Sequence, residues 1–152
     1  MMTNDDIVDT LNDLIATGKD GESGFTACAK HAISGELKRQ LADRALECQR
    51  AAAELQPYVI QYGGKPSRSG SASEALHRGW VAVRGSLGGL NEAAVLEECE
   101  REEGVALTRY RKALSHATLP SALRTVVERQ LEGVKHHHDQ IKLLRDRVKA
   151  IS

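Results

Sequence analysis

The chain has 152 residues, 21 basic and 21 acidic, a length that suits one domain and a balance that gives no electrostatic ground for binding nucleic acid. Aromatic residues make up 3%, apolar residues 41% and charged residues 28%, which excludes a disordered tail and leaves leucine, alanine and valine to build a core. With three prolines and long stretches free of turn residues, the composition predicts an all-α domain of a few long helices, residues 1–152 forming one unit.

The first helix is predicted to start at Asn4 as N-cap, with Asp5 and Asp6 in its first turn, and to end at the Ile33-Ser34-Gly35 break. Its apolar stripe is Ile7, Leu11, Leu14, Gly18, Phe25, Ala29 and Ala32, and the stepping puts Glu22 on the same face. Gly18, Gly21 and Gly24 each cost a helix about 1 kcal/mol relative to alanine. Gly18 and Gly21 therefore predict that a neighbouring helix or the long connection comes close beside Glu22.

Ser34 and Gly35 open a second helix with the stripe Leu37, Leu41, Arg44, Cys48, Ala52, Leu55 and Val59, in which Arg44 is the misfit. Pro57 should kink or tighten it near its end, and Gly63-Gly64 should stop it. A loop follows by composition, then a short helix over 73–87 carrying Leu76, Trp80, Val83 and Leu87 on one side.

Asn91 is the predicted cap of a third long helix with the stripe Val95, Leu96, Cys99, Glu102 or Glu103, Ala106, Tyr110 and Ala113. Pro120 suits the first turn of a fourth. That helix carries Leu123, Val127, Gln130 or Leu131, Val134, His137 or His138, Ile141, Leu144 and Val148.

Four long helices with two tight turns and one long middle connection describe a four-helix bundle with a crossover between helices 2 and 3. The alternative is an up-down-up-down bundle with an excursion. A turn near residues 33 and 34 sets Glu22 level with Ala45, between Arg44 and Glu47. A turn near 118 and 119 sets Glu102 level with Lys135 and Cys99 level with His138. With the crossover, Glu22 and Glu102 each lie about ten residues, roughly 15 Å, from the same end, so the two polar layers coincide. Without it they miss by roughly 12 Å. The shared height favours the crossover.

Inward carboxylates and histidines at mid-bundle are how ferritin-like proteins hold two metal ions, with one Glu from each of two helices and a Glu-x-x-His pair from each of the others. Glu22 and Glu102 or Glu103 fit the single glutamates. Three residues after Glu47, however, comes Arg50, and the residues three before His136, His137 and His138 are Gly133, Val134 and Lys135. Neither Glu-x-x-His pair exists, and Arg44 brings a fixed positive charge to where a second cation would sit. The one Glu-x-x-His, Glu74 to His77, reads more simply as part of a capping box with Ser71. Two readings of the layer follow. In one, Glu22 opposes Arg44 in a buried ion pair and His138 bonds Glu102 or Glu103. In the other, a divalent metal ion, iron, manganese or zinc, is held by residues drawn from Glu22, Glu47, Glu102, Glu103, His137 and His138.

Cys28, Cys48 and Cys99 form no Cys-x-x-Cys pair and read as reduced core residues. No run approaches the roughly 20 apolar residues of a membrane span, and the first residues do not resemble a signal peptide. These absences predict a cytoplasmic protein with neither membrane nor nucleic-acid partners.

The segments Leu11-Asn12-Asp13-Leu14-Ile15, Lys19-Asp20-Gly21-Glu22-Ser23-Gly24-Phe25, Leu76-His77-Arg78-Gly79-Trp80, Glu98-Cys99-Glu100-Arg101 and His138-Asp139 resemble a proteobacterial family of uncharacterised four-helix-bundle proteins related in fold to ferritins. The resemblance covers nearly the whole chain. It implies a ferritin-like fold and matches Glu22, Glu103 and His138 to recurrent polar positions, but it implies no established activity. Where that family carries Ala before the late His, this chain has His136 and His137.

The leading expectation is a non-catalytic ferritin-like bundle, acting in stress response or as an interaction module and self-associating as a homo-oligomer. The competing one is a metal-binding protein using the inward Glu/His layer, with open coordination positions for redox chemistry. A small-molecule enzyme stands third, for want of a recognisable nucleophile, phosphate loop or paired-acid motif.

Overall fold

The structure, a computed structural model, describes residues 2–32, 34–70 and 92–151. Among them are four helices and no strand: α1 (Asn4–His31), α2 (Gly35–Gln61), α3 (Glu92–Leu114) and α4 (Ser121–Ile151). The expected short helix over 73–87, with Glu74, His77 and Trp80, and the expected cap Asn91 lie outside the described residues.

Local chemistry sets the helix ends. Thr3, not Asn4, caps α1: its Oγ1 accepts from the Asp6 N–H at 3.1 Å, and the Asp6 carboxylate accepts from the Thr3 N–H at 3.0 Å. This reciprocal pair satisfies two backbone donors that Asn4 alone would leave open. Ser34 caps α2 by accepting from the Leu37 N–H at 3.3 Å. The second helix runs on through Pro57 to Gln61, and the chain leaves it at Gly63, whose φ of +83° suits a residue without Cβ.

The cross-helix hydrogen bonds fix the topology. The Ser34 N–H donates to Glu92 Oε1 at 2.8 Å, so α3 begins beside the α1–α2 turn. At the opposite end the Met2 N–H donates to Thr118 Oγ1 at 3.0 Å. Between these points, Arg109 of α3 reaches Thr17 of α1 at 3.0 Å. The third helix thus runs antiparallel to α1 and parallel to α2: the chain leaves α2 at one end of the bundle and enters α3 at the other, a crossover connection. The first part of this crossover runs back along α1. Asn12 Nδ2 donates to the Lys65 carbonyl at 3.0 Å, and its Oδ1 accepts from the Ser67 N–H at 2.8 Å.

Two apolar clusters fill the interior. One contains Leu11, Leu14, Leu55, Val59, Leu123 and Val127; the other contains Phe25, Leu37, Leu41, Val95, Leu96 and Ile141. Along α3 the inward Glu102 and Glu103 fall between the two clusters, and on α2 Arg44 stands within the second, between Leu41 and Cys48. Among the described residues, no helix is long and apolar enough to cross a membrane.

Candidate functional site

The centre of the bundle is a charged layer carried on otherwise apolar stripes. Arg44 follows Leu37 and Leu41 on α2, and Glu102 and Glu103 stand between Cys99 and Ala106 on α3, so the packing that buries the stripes also buries the charges. Arg44 Nε donates to Glu103 Oε2 at 2.9 Å and Nη2 donates to Glu103 Oε1 at 2.7 Å, a bidentate pair. Glu47 stands 3.8 Å from Arg44 Nη1, and the guanidinium carbon lies 5.6 Å from the Phe25 ring centre. Burial works against the Arg44 cation, but the negative charge of Glu103, its hydrogen bonds and the nearby Glu47 raise its pKa above the ordinary value.

The expected opposition of Glu22 and Arg44 is replaced by this bond to Glu103. On α1 the inward place goes to Gly21, which is buried, and Glu22 is left half-buried. The reason is steric. A Cβ at Gly18 would meet the Cys48 carbonyl oxygen at 2.8 Å and the Ala52 Cβ at 3.0 Å, and one at Gly21 would meet Cys48 Sγ at 2.6 Å. The glycine row fits against α2, and the rotation that seats it moves Glu22 off the centre.

The histidines straddle the stripe of α4. Gln130, Val134 and Ile141 take its inward positions, and the positions between Val134 and Ile141 fall to either side. His137 Nε2 contacts Glu47 Oε2 across the α2–α4 edge. His138 lies on the α3 side, with Nε2 4.0 Å from Glu100 Oε1 and Nδ1 3.4 Å from Asp139 Oδ1. It therefore faces Glu100, the neighbour of Cys99 with which the turn set it level, and not Glu102 or Glu103 as the ion-pair reading expected. The six candidate residues thus occupy several places: Glu102 and Glu103 inside, Glu47 with His137 at one edge, His138 at another, and Glu22 half-buried on α1. Among the described residues, no group of three or more His, Cys, Asp or Glu side chains is arranged to hold a metal ion.

Glu102 differs from its neighbour. Its side chain is buried, yet Oε2 has no hydrogen-bond partner. Burial pushes its carboxyl up to about 7, helped by the negative charge of Asp20 and opposed by Arg109. Arg109 Nη1 in turn donates to Thr17 Oγ1 at 3.0 Å and to Asp20 Oδ2 at 3.4 Å.

A second buried network was only partly legible beforehand. Tyr110 donates from its hydroxyl to Gln130 Oε1 at 2.7 Å, and Gln130 Nε2 donates to Glu54 Oε1 at 2.7 Å and to the Ala51 carbonyl at 3.2 Å. Glu54 also pairs with Arg129. Gln130 and Tyr110 both lay on predicted stripes, so a polar atom at each needed a partner. Asp20 and Arg109 fell off the stripes and gave no such signal.

These groups border a cavity of about 320 Å³ between the helices, with Gly18, Gly21, Phe25, Ala106 and Val134 supplying apolar wall and Glu102, Glu103, Arg44 and Tyr110 supplying polar wall. Cys48 also borders it, its thiol pushed by burial up to about 12. Cys28 and Cys99 meet through their thiols, and that hydrogen bond, with burial, raises the Cys99 pKa.

Over residues 6–116 the chain matches the family described as "Domain of unknown function (DUF2383)". The match takes in Glu22, Arg44, Glu47, Glu102 and Glu103 and stops before α4 with its histidines. No curated protein matches the chain. The chain belongs to the DUF2383 family.

Proposed function

We propose that this DUF2383 chain is a ferritin-like bundle protein without a catalytic role, which acts in a stress response or as an interaction module and associates with copies of itself. The observation that carries this reading is the bidentate Arg44–Glu103 pair. A guanidinium keeps its charge at any physiological pH and occupies both oxygens of the carboxylate. Glu103 is thereby taken up as a structural counter-ion, and a dication placed beside it would meet the repulsion of Arg44. Elemental analysis of untagged protein, grown with iron, manganese and zinc, tests the reading. Sub-stoichiometric metal is expected, and one or two tightly held ions per chain would overturn it. Self-association is tested by sedimentation, which should give a mass above the 16.6 kDa of one chain.

One observation favours a second reading. Glu47 and His137 touch across α2 and α4, and a carboxylate with an imidazole is a ligand pair suited to manganese, iron or zinc. In this reading a single divalent ion sits at that edge. Stoichiometric metal that is lost in Glu47→Ala would establish it in place of the first.

A further inference from the structure

The charged groups around the cavity are satisfied unevenly. Arg44 and Glu103 neutralise each other, and Glu54 takes both Arg129 and Gln130. Tyr110 is committed to Gln130. Arg109, whose charge also acts on Glu102, donates to Thr17 and Asp20. Glu102 is left over: its side chain is 2% exposed, it borders the cavity, and Oε2 accepts no hydrogen bond. A buried carboxylate in that condition is stabilised when a ligand brings it a donor.

We propose that the cavity is a binding site for a small organic cation, a primary ammonium on a compact apolar body, with the ammonium seated on Glu102 and the body against Gly18, Gly21 and Phe25. The volume, about 320 Å³, is at the lower end of the range for small-molecule sites, which combine apolar walls with few convergent polar groups. Glycines at 18 and 21 leave a smooth floor, because no Cβ fits there against Cys48. The sign of the ligand follows from the pairing of the lining charges: Glu103 is countered by Arg44 and Glu54 by Arg129, Arg50 is exposed, and Glu102 is buried with no donor on Oε2. An anionic ligand would meet that carboxylate. A divalent metal asks for several carboxylates or imidazoles at once, which the described residues do not gather, whereas an ammonium is served by one carboxylate and neutral acceptors such as Thr17 Oγ1. The site draws on a carboxylate that the Arg44–Glu103 pair does not use, so it goes beyond the reading given above, and metal content and amine binding can fail separately.

Isothermal titration of the full chain at pH 7.5 with cyclohexylamine, cyclohexanol and cyclohexanecarboxylate tests the proposal. Saturable one-to-one binding of the amine is expected, at least about tenfold tighter than the alcohol, as a charge-assisted hydrogen bond in a buried site requires, with no binding of the carboxylate. Glu102→Gln should abolish the preference for the amine over the alcohol. In case that variant is destabilised, Gly133→Leu provides a second route: Gly133 borders the cavity, a Cβ there meets nothing within 4 Å, and the larger side chain should weaken the amine and the alcohol alike. Absence of saturable amine binding, equal affinity for all three compounds, or an unchanged amine preference in folded Glu102→Gln would each overturn the proposal.

Discussion

Arg44 and Glu103 join α2 to α3, two parallel helices linked only by the long crossover, through two hydrogen bonds of 2.9 and 2.7 Å in the middle of the bundle. The side chains are 8% and 1% exposed, so both charges have left water. Such a pair contributes little net stability compared with an apolar pair of the same volume, because desolvation offsets the attraction. Its consequence is register: only one sliding position of α2 against α3 brings the guanidinium fork onto both oxygens.

The pair should therefore respond asymmetrically to substitution. Arg44→Met is expected to lower the unfolding free energy by about 3–5 kcal/mol, because Glu103 stays buried without its counter-charge. Combining it with Glu103→Leu should recover most of that loss. Urea denaturation of the two variants measures the difference, and an Arg44→Met protein as stable as the parent would show that Glu103 does not depend on the pair.

Glycines in the same bundle should give opposite answers to one substitution. At Gly18 an added Cβ meets the Cys48 carbonyl oxygen at 2.8 Å, backbone that cannot step aside without moving α2. Gly18→Ala is expected to cost about 1–3 kcal/mol despite the better helix propensity of alanine. At Gly133 nothing lies within 4 Å of the added carbon, so Gly133→Ala should gain about 0.5–1 kcal/mol. Thermal melts of the two single variants provide the comparison.

The three thiols should be unreactive in the folded protein. Cys28, Cys48 and Cys99 are all buried, Cys48 is held at about 12 by desolvation, and Cys99 is raised by its hydrogen bond to Cys28 and by burial. Since the thiolate is the reacting form, labelling by a disulfide reagent at pH 8 should be slower than in urea by on the order of a hundredfold or more. A thiol that labels rapidly under native conditions would show that one of the buried positions opens to solvent.

The stripes of α1 to α4 were readable because apolar residues recur at helical spacing, and the misfits Arg44, Glu102 and Glu103 are buried as that spacing predicts. The crossover was expected from a shared height of Glu22 and Glu102; the topology agrees, but the residue facing the layer from α1 is Gly21 and not Glu22. Helix rotation was not legible. A stripe read at three or four residues leaves about a third of a turn undecided, and that margin separates Gly21 from Glu22 and places His137 and His138 on opposite sides of the α4 stripe. What settles it is tertiary: the glycine row closing on Cys48, and Gln130, Val134 and Ile141 filling the centre. Pairing across the diagonal was equally hidden, since hairpin geometry relates α1 to α2 and α3 to α4 but is silent on α2 with α3.

Glu102 should give the bundle a pH-dependent stability of definite sign. Its carboxyl has an ordinary value of 4.5 and stands at about 7 in the fold, with burial the first cause and Asp20 the next. Below 4.5 it is protonated in both the folded and unfolded chain, and its contribution is fully present. Between 4.5 and 7 the folded state binds more protons than the unfolded state, so stability falls as pH rises, and above 7 the loss is complete at about 3 kcal/mol. Glu102→Gln removes this slope. Relative to the parent, the variant should therefore be about 3 kcal/mol more stable at pH 8 than it is at pH 4, read from urea denaturation at both values. Subtracting the parent at each pH cancels the carboxylates and histidines that titrate elsewhere. Asp20→Asn supplies the internal control: it removes the negative neighbour and one acceptor of Arg109, so the Glu102 carboxyl should ionise more readily and the fall in stability should move to lower pH. A parent and Glu102→Gln that stay parallel from pH 4 to 8 would mean that the carboxyl is solvated in the fold.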